Sequence, residues 1–340
     1  MNILGIESSC DETAAGVVQD GKKLLSNVIS SQVDIHSRFG GIVPELASRQ
    51  HVLQIDSVIE QALNEAKVDL GSLAAIAVTE GPGLAGALMV GINAGKSLAW
   101  ARDLPLIGIN HLEGHIYAAW LEYENPAKNP GFPLMCLIAS GGHTELILMT
   151  GHGQYTAVGR TRDDAAGEAF DKGARLLGLG FPGGPAIQNT AQYATEAEKF
   201  PRAWLGESFD FSFSGLKTSL LHRTQQLPDN SFDYSGRMKT SVVASQAAAY
   251  QEAITDVLSE KAVRAAKKYK AKGILIGGGV AANSRLRELI DQRSPMPTLI
   301  PRNSLCTDNG AMIAAAALYH VKLGSTSSFD IDVNPNMSLA

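Results

Sequence analysis

The first eighteen residues, MNILGIESSCDETAAGVV, contain the unit from which we expect the fold to be built. An apolar run at 3–6 ends in the polar loop 7–13, and a second apolar run follows at 14–18. A turn at Asp20-Gly21 then leads into a third run near 23–28. Short apolar runs bounded by polar and glycine residues are typical of strands joined by tight loops. Residues 3–28 therefore predict three consecutive strands.

The same order of elements returns in the middle of the chain, in LMCLIASGGHTELILM at 134–149. Two apolar runs again enclose a polar, glycine-containing loop, and a third strand is expected near 155–158. Two such copies predict a duplicated α/β architecture in which each copy begins one lobe. We expect one domain at 1–130 plus about 315–340 and a second at 131–314.

Helical spacing of apolar residues fills much of the remaining chain. It predicts helices over 52–63, 88–100, 242–271 and 285–292, and a buried strand at 274–276.

Length and composition exclude several classes of protein. A chain of 340 residues exceeds the usual size of a single core, and 45% hydrophobic with 19% charged residues is typical of globular proteins rather than disordered ones. No apolar run is long enough to span a bilayer, and no secretory signal is recognisable, so no membrane partner is expected. Three widely spaced cysteines do not suggest a disulfide framework and favour a reducing cytoplasm. Because the net charge is −5, a nucleic-acid partner would have to meet a local basic patch or a helper subunit.

A histidine pair in His111-Leu112-Glu113-Gly114-His115 is the clearest candidate for metal binding. Four residues apart on a helix, the two imidazoles share one face and suit a single divalent cation, although such pairs also occur by chance. Asp308 could be a third ligand, or it could cap the helix that begins near 311. A zincin protease needs glutamate directly after the first histidine, where this chain has Leu112.

Three glycine loops follow strands, at 140–142, 182–185 and 277–279. Glycines at such positions let a backbone approach a ligand and offer N–H groups to phosphate. None of the loops matches the P-loop or the Rossmann fingerprint. A single loop of this kind is more often a turn than a nucleotide site. Together, in duplicated lobes, they favour a nucleotide held in a central cleft.

Acidic residues form two further groups. Asp11 and Glu12 lie in the first loop, while Asp164, Glu168 and Asp171 would share one face of a helix. Solvated surface carboxylates would have the same pattern, so both interpretations of the second group stay open.

These motifs resemble, over nearly the whole chain, those of the bacterial tRNA N6-adenosine threonylcarbamoyltransferase family, TsaD. The segments that carry the resemblance are Gly5–Thr13, Gly41–Arg49, Gly81–Leu84, His111–His115, Ser140–Thr144, Gly167–Lys172, Phe211–Lys217 and Thr307–Gly310. The resemblance implies the two-lobed α/β fold of actin, Hsp70 and sugar kinases (ASKHA), with duplicated lobes and a central nucleotide cleft.

The resemblance also implies a set of site residues. By analogy, His111, His115 and Asp308 hold one divalent metal, iron or zinc. Threonylcarbamoyl-AMP would be bound by a second set, and ATP or ADP could occupy the same cleft. That second set is Ile138, Ala139, Ser140, Gly141, Gly142, Asp171, Gly184 and Asn283.

The activity implied is transfer of a threonylcarbamoyl group from threonylcarbamoyl-AMP to N6 of the adenosine beside the anticodon, in tRNAs that read codons beginning with A. Asp11 is the first candidate for the general base and Glu12 the second. Besides tRNA, the expected partners are a TsaB-like paralogue and a TsaE-like ATPase, with the adenylate made by a separate synthase. The alternatives are a metalloprotease acting on glycoproteins and a non-catalytic, ATP-binding regulatory protein.

Overall fold

The structure, a computed structural model, describes residues 1–122, 129–196, 199–233 and 235–340. The chain forms two compact units. The first unit comprises Met1–Asn129, Gly151–Tyr155 and Leu299–Ala340, and the second comprises Pro130–Thr150 and Thr156–Thr298. Residues 151–155 and 299–314 thus group with the first unit, whereas the sequence predicted them in the second domain. The predicted junction near 130 adjoins 123–128, which lie outside the described residues.

The first unit is built on a mixed five-stranded sheet. Its strands are β1 (Asn2–Glu7), β2 (Glu12–Gln19), β3 (Lys23–Ser31), β4 (Ala75–Gly81) and β5 (Leu106–Asn110), in the order β3-β2-β1-β4-β5. β1 pairs antiparallel with β2 and parallel with β4, which in turn is parallel to β5. β1 is central because it is apolar on both faces, as strands covered on both sides must be.

The second sheet repeats this topology. Its strands are β6 (Leu134–Ala139), β7 (Thr144–Gly151), β8 (Gln154–Arg160), β9 (Gly273–Gly277) and β10 (Thr298–Leu299), in the order β10-β9-β6-β7-β8. β6 is antiparallel to β7 and parallel to β9, as β1 is to β2 and β4. The predicted duplication and the six strands on which it was based are confirmed.

Ten α-helices connect or cover the strands in the described chain. They are α1 (Val33–Ser37), α2 (Pro44–Ala66), α3 (Ala85–Arg102), α4 (His111–Tyr117), α5 (Ala166–Leu176), α6 (Gly183–Ala191), α7 (Ser214–Gln225), α8 (Thr240–Lys268), α9 (Ser284–Arg293) and α10 (Gly310–Lys322). The four helices predicted from periodicity correspond to α2, α3, α8 and α9. None of the helices in the described segments combines the length and apolar character needed to cross a membrane.

Helix α10 lies against the first sheet at a distance that only glycine allows. A Cβ atom on Gly5 of β1 would overlap the carbonyl oxygen of Gly310, and one on Gly310 would overlap the backbone nitrogen of Gly16. This contact explains why 299–314 belong to the first unit: the start of α10 is packed into β1 and β2. The loop before α10, which contains Asp308, is held there as a consequence.

We expect the substitution Gly5→Ala to destabilise the protein by about 1–3 kcal/mol or more, because the methyl group overpacks a rigid backbone contact. Denaturant unfolding would measure the loss. Gly71→Ala is a matched control, because a Cβ atom there would meet nothing within 4 Å. Equal unfolding free energies for the two variants would contradict the close approach of α10.

Candidate active site

The candidate site of the first unit forms where three parallel strands end. Glu7 is the last residue of β1, Thr79 lies near the end of β4, and His111 directly follows β5. The carboxyl ends of parallel neighbours meet at one edge of a sheet, which is where α/β proteins usually bind their ligands. The order β1-β4-β5 therefore brings these three side chains together.

Helix α4 presents both histidines on one face. Its N-cap is Asn110, whose side chain accepts a hydrogen bond from the backbone N–H of Leu112 at 2.8 Å. The ring centroids of His111 and His115 are 4.7 Å apart, and both residues are buried. The geometry expected for an i, i+4 pair is thus present.

Asp308 completes a three-residue cluster with the two imidazoles. Its Oδ1 lies 3.4 Å from Nε2 of His111 and 3.2 Å from Nε2 of His115. One ligand atom from each residue lies within 4.8 Å of the others. Asn309, rather than Asp308, caps α10, because its Oδ1 accepts a hydrogen bond from the N–H of Met312 at 3.0 Å. The capping alternative for Asp308 is therefore wrong.

The cluster fits a divalent metal. Neither ring nitrogen of the buried His115 has a hydrogen-bond partner among the described residues, even though Asp308 lies close by. Leaving buried polar atoms without a partner is costly, and a cation bound at Nε2 would satisfy one of them. Two imidazoles and one carboxylate suit zinc and iron(II) alike, and three protein ligands leave a position open for a substrate.

The electrostatics of the cluster also favour a cation. Burial alone would lower the pKa of His111, but the negative charges of Asp308 and Glu7 outweigh it and raise the pKa to about 9. The cluster therefore attracts one positive charge, which a metal ion would supply in exchange for a proton.

Glu7 orients the imidazole of His111 from the side of the ring opposite Asp308. Nδ1 of His111 lies 2.9 Å from Oε2 of Glu7 and donates a hydrogen bond to it. The other ring nitrogen, Nε2, therefore faces Asp308. The same carboxylate accepts hydrogen bonds from Thr79 Oγ1 and from the backbone N–H of Ser9. Burial would raise the pKa of Glu7, but His111 outweighs that effect and holds it below its usual value, so Glu7 is ionised. A carboxylate behind a metal-binding histidine fixes its tautomer and raises its basicity.

We expect Glu7→Gln to weaken metal binding by about 10- to 100-fold, because the amide orients His111 less strongly than the carboxylate. Competition between the protein and a chelator for Zn²⁺ would measure the affinity. Glu60→Gln, on the exposed face of α2, is the matched control. Unchanged affinity in Glu7→Gln would rule out this orienting role.

The two candidate bases lie in the same unit, Asp11 at the end of the loop after β1 and Glu12 as the first residue of β2. Asp11 is buried, and Oε1 of Glu12 accepts a hydrogen bond from Ser31 Oγ at 3.2 Å. Burial, Asp11 and Asp308 together raise the pKa of Glu12 to about 10, so the three carboxylates interact electrostatically. His51 holds the loop in place, because its Nε2 donates to the carbonyl of Cys10 and its Nδ1 accepts from Thr13 Oγ1.

The loop predicted to bind the adenylate lies in the second unit. Ile138 and Ala139 are the buried end of β6, and 140–142 form the loop that follows. A Cβ atom on Gly167, at the start of α5, would overlap the backbone of this loop, and one on Gly278 would overlap the carbonyl oxygen of Ala139. The loop after β6, the start of α5 and the loop after β9 are therefore brought together.

The remaining predicted residues of the second unit border these loops. Asp171 accepts a hydrogen bond from the N–H of Gly183 at 2.7 Å, which fixes the start of α6. Next to it, Gly184 has open space where a side chain would be, as do Gly141 and Gly142. Asn283 uses its amide within the protein: Oδ1 accepts from the N–H of Leu286, and Nδ2 donates to Gln251. A ligand contact by any of these residues stays a prediction.

Comparison with known proteins shows which family this is. The family model for TsaD, tRNA N6-adenosine threonylcarbamoyltransferase, matches residues 23–315. A protein of that name from Thermomicrobium roseum is 54% identical over 361 aligned residues, which cover 100% of this chain and 97% of its own. One from Halalkalibacterium halodurans is 50% identical, covering 99% and 96%. The chain belongs to the TsaD family. It is thus a tRNA-modifying transferase, and the resemblance seen in its motifs is confirmed.

Solved structures more distant than the TsaD family share its fold. HypF from T. kodakarensis aligns with a TM-score of 0.60 at 15% identity, over 95% of this chain and 48% of that one. Component A of (R)-2-hydroxyglutaryl-CoA dehydratase from Acidaminococcus fermentans aligns with a TM-score of 0.52 at 15% identity, over 95% and 99%. These similarities confirm the duplicated α/β fold of the ASKHA type and show nothing about activity.

Proposed function

We propose that the chain transfers a threonylcarbamoyl group from threonylcarbamoyl-AMP to N6 of the adenosine beside the anticodon, in tRNAs that read codons beginning with A. The N6 nitrogen attacks the carbamoyl carbonyl carbon and forms a C–N bond. The bond from that carbon to the phosphate oxygen breaks, and AMP leaves with the electron pair. A base removes the proton from N6.

The convergence of His111, His115 and Asp308 is the observation that carries this proposal beyond the family name. A protein of this fold that only bound a nucleotide or a partner would have no use for two buried imidazoles that converge on a carboxylate. When bound there, a divalent metal would polarise the carbonyl of the threonylcarbamoyl group as a Lewis acid. The chain's own part is to orient His111 through Glu7 and to keep the two imidazoles buried.

The loops of the second unit supply the binding of the adenylate in this proposal. Gly141, Gly142 and Gly184 have open space where a side chain would be, so a phosphate could approach their backbone N–H groups, which supports their role. Donors aimed at the charge that grows on the leaving phosphate lower the barrier. Because an adenine amine is a weak nucleophile, holding it next to the carbonyl supplies much of the rate.

Asp11 is the proposed general base. With its pKa raised to about 10, Glu12 carries a proton at neutral pH in the metal-free protein and cannot accept another. This favours Asp11 over Glu12, the order expected from the sequence.

The proposed partners are a TsaB-like paralogue and a TsaE-like ATPase, with a separate synthase supplying the adenylate in the cytoplasm. Nucleotides such as ATP or ADP could occupy the adenylate loops. The acidic net charge of the chain supports a need for helper subunits in tRNA binding.

A metalloprotease is the less favoured alternative. A zincin-type general base would have to follow the first histidine, where this chain has Leu112, and the nearby Glu113 accepts hydrogen bonds from Tyr155 and His320. Incubation with a glycoprotein substrate would detect any cleavage.

Reconstitution tests the proposal directly. Unmodified tRNA, threonylcarbamoyl-AMP and the metal-loaded chain with its proposed partners would be incubated, and the nucleosides analysed by mass spectrometry. We expect threonylcarbamoyl adenosine to form, but not on a control tRNA with guanosine in place of the target adenosine. Absence of the product in the complete mixture would refute the proposal.

A further inference from the structure

Glu113 lies between the two histidines in sequence but faces away from them. Residues two apart on an α-helix project to opposite sides, so Glu113 points to the other side of α4. Its side chain is only 4% exposed, and both carboxylate oxygens are engaged. Tyr155 Oη donates to Oε1 at 2.7 Å, and His320 Nε2 donates to Oε2 at 2.9 Å. The proposed reaction gives this residue no role.

Burial of this carboxylate is expensive unless it is well paired. An apolar residue of similar size would cover the same face of α4 without that cost. The charge therefore calls for an explanation other than packing, and directional hydrogen bonds are what a charged residue adds.

The two bonds connect the elements that carry the metal ligands. His111 and His115 lie on α4, and Asp308 lies two residues before the first residue of α10. His320 is in the last turn of α10, so its bond to Glu113 joins the two helices directly. Tyr155 belongs to the segment 151–155 of the first unit and holds the same carboxylate from another side.

Helix α4 depends on such contacts for its orientation. With seven residues it is too short to be stable on its own. Gly114 lets it pack closely on Ile313 and Met312 of α10, and the two hydrogen bonds of Glu113 add directional contacts to this apolar packing. A rotation of α4 would turn both imidazoles away from Asp308.

We propose that Glu113 is a positioning residue of the metal centre: its bonds to Tyr155 and His320 fix the rotation of α4 against α10, so that His111 and His115 face Asp308. The proposal rests on the metal site of the proposed function. It assigns the central glutamate of the His-Leu-Glu-Gly-His motif to alignment rather than to proton transfer.

Cobalt binding tests this without any measurement of activity. Metal-free protein would be titrated with Co²⁺, whose visible absorption reports both the affinity and the geometry of its ligands. Tyr155→Phe removes the hydroxyl that donates to Glu113; we expect about tenfold weaker binding and an altered band shape. The control is Tyr319→Phe on α10, whose ring stacks on Tyr117 at 4.7 Å and whose loss of a hydroxyl leaves both bonds to Glu113.

Glu113→Gln serves as the second variant if Tyr155→Phe does not fold. Its amide keeps the shape but is neutral and offers one acceptor oxygen in place of two, so it too should weaken and distort cobalt binding. Wild-type affinity and spectrum in both variants would overturn the proposal, even if their thermal stability fell. If the wild-type chain bound no cobalt, the metal site itself would be refuted. Variants that bind cobalt as the wild type does would instead refute only the role of Glu113.

Discussion

Replacement of His115 by alanine is expected to abolish both the bound metal and the modification of tRNA. His115 is fully buried, and neither of its ring nitrogens has a hydrogen-bond partner among the described residues, so its removal breaks no hydrogen bond there. Removing one of three protein ligands leaves too few to hold a divalent cation. Metal content and tRNA nucleosides would be measured on the same preparation.

His222→Ala is the matched control for this change. His222 is an exposed histidine in the last turn of α7, so its removal leaves the metal cluster intact. We expect wild-type metal content and activity in that variant. Modification that persists in His115→Ala after the metal is gone would show that the catalytic part of the account is wrong.

The second large effect is expected for Asp11→Asn. If Asp11 removes the proton from N6, the neutral amide cannot, and the rate of transfer should fall by about 10²- to 10⁴-fold. Metal binding should persist, because Asp11 is not one of the three ligands. Single-turnover transfer with saturating adenylate and tRNA would separate the chemical step from binding.

Two further variants serve as controls for Asp11→Asn. Asp34→Asn, an exposed aspartate in the first turn of α1, should transfer at the wild-type rate. Glu12→Gln should have a smaller effect than Asp11→Asn, because Asp11 is the proposed base and Glu12 only the second candidate. A wild-type rate in Asp11→Asn would exclude Asp11 as the base.

Local patterns were enough to predict most of the fold. The strands of the two repeats were visible because their apolar runs are short and bounded by glycine and polar loops, and both repeats fold into the same strand order. The i, i+4 spacing of His111 and His115 likewise determines their shared face on α4. The resemblance to the TsaD family implied Asp308 as a third ligand, which spacing alone could not separate from a helix cap.

What the sequence analysis missed depends on contacts between distant residues. Glu7 and His111 meet because β1, β4 and β5 are parallel neighbours, an arrangement that no local pattern encodes. A single carboxylate at the end of an apolar strand was the available signal for Glu7. His51 directly precedes the helix predicted at 52–63, and its contact with Cys10 crosses 41 positions in the chain. The grouping of 299–314 with the first unit depends on the close contact of Gly5 with Gly310, which is equally non-local.

The most direct test of the metal centre is anomalous X-ray diffraction from crystals of the zinc-loaded protein, recorded on both sides of the zinc absorption edge. We predict one strong peak about 2.0–2.2 Å from Nε2 of His111, Nε2 of His115 and a carboxylate oxygen of Asp308. A peak elsewhere, or Asp308 more than a bond length away from the ion, would contradict the account.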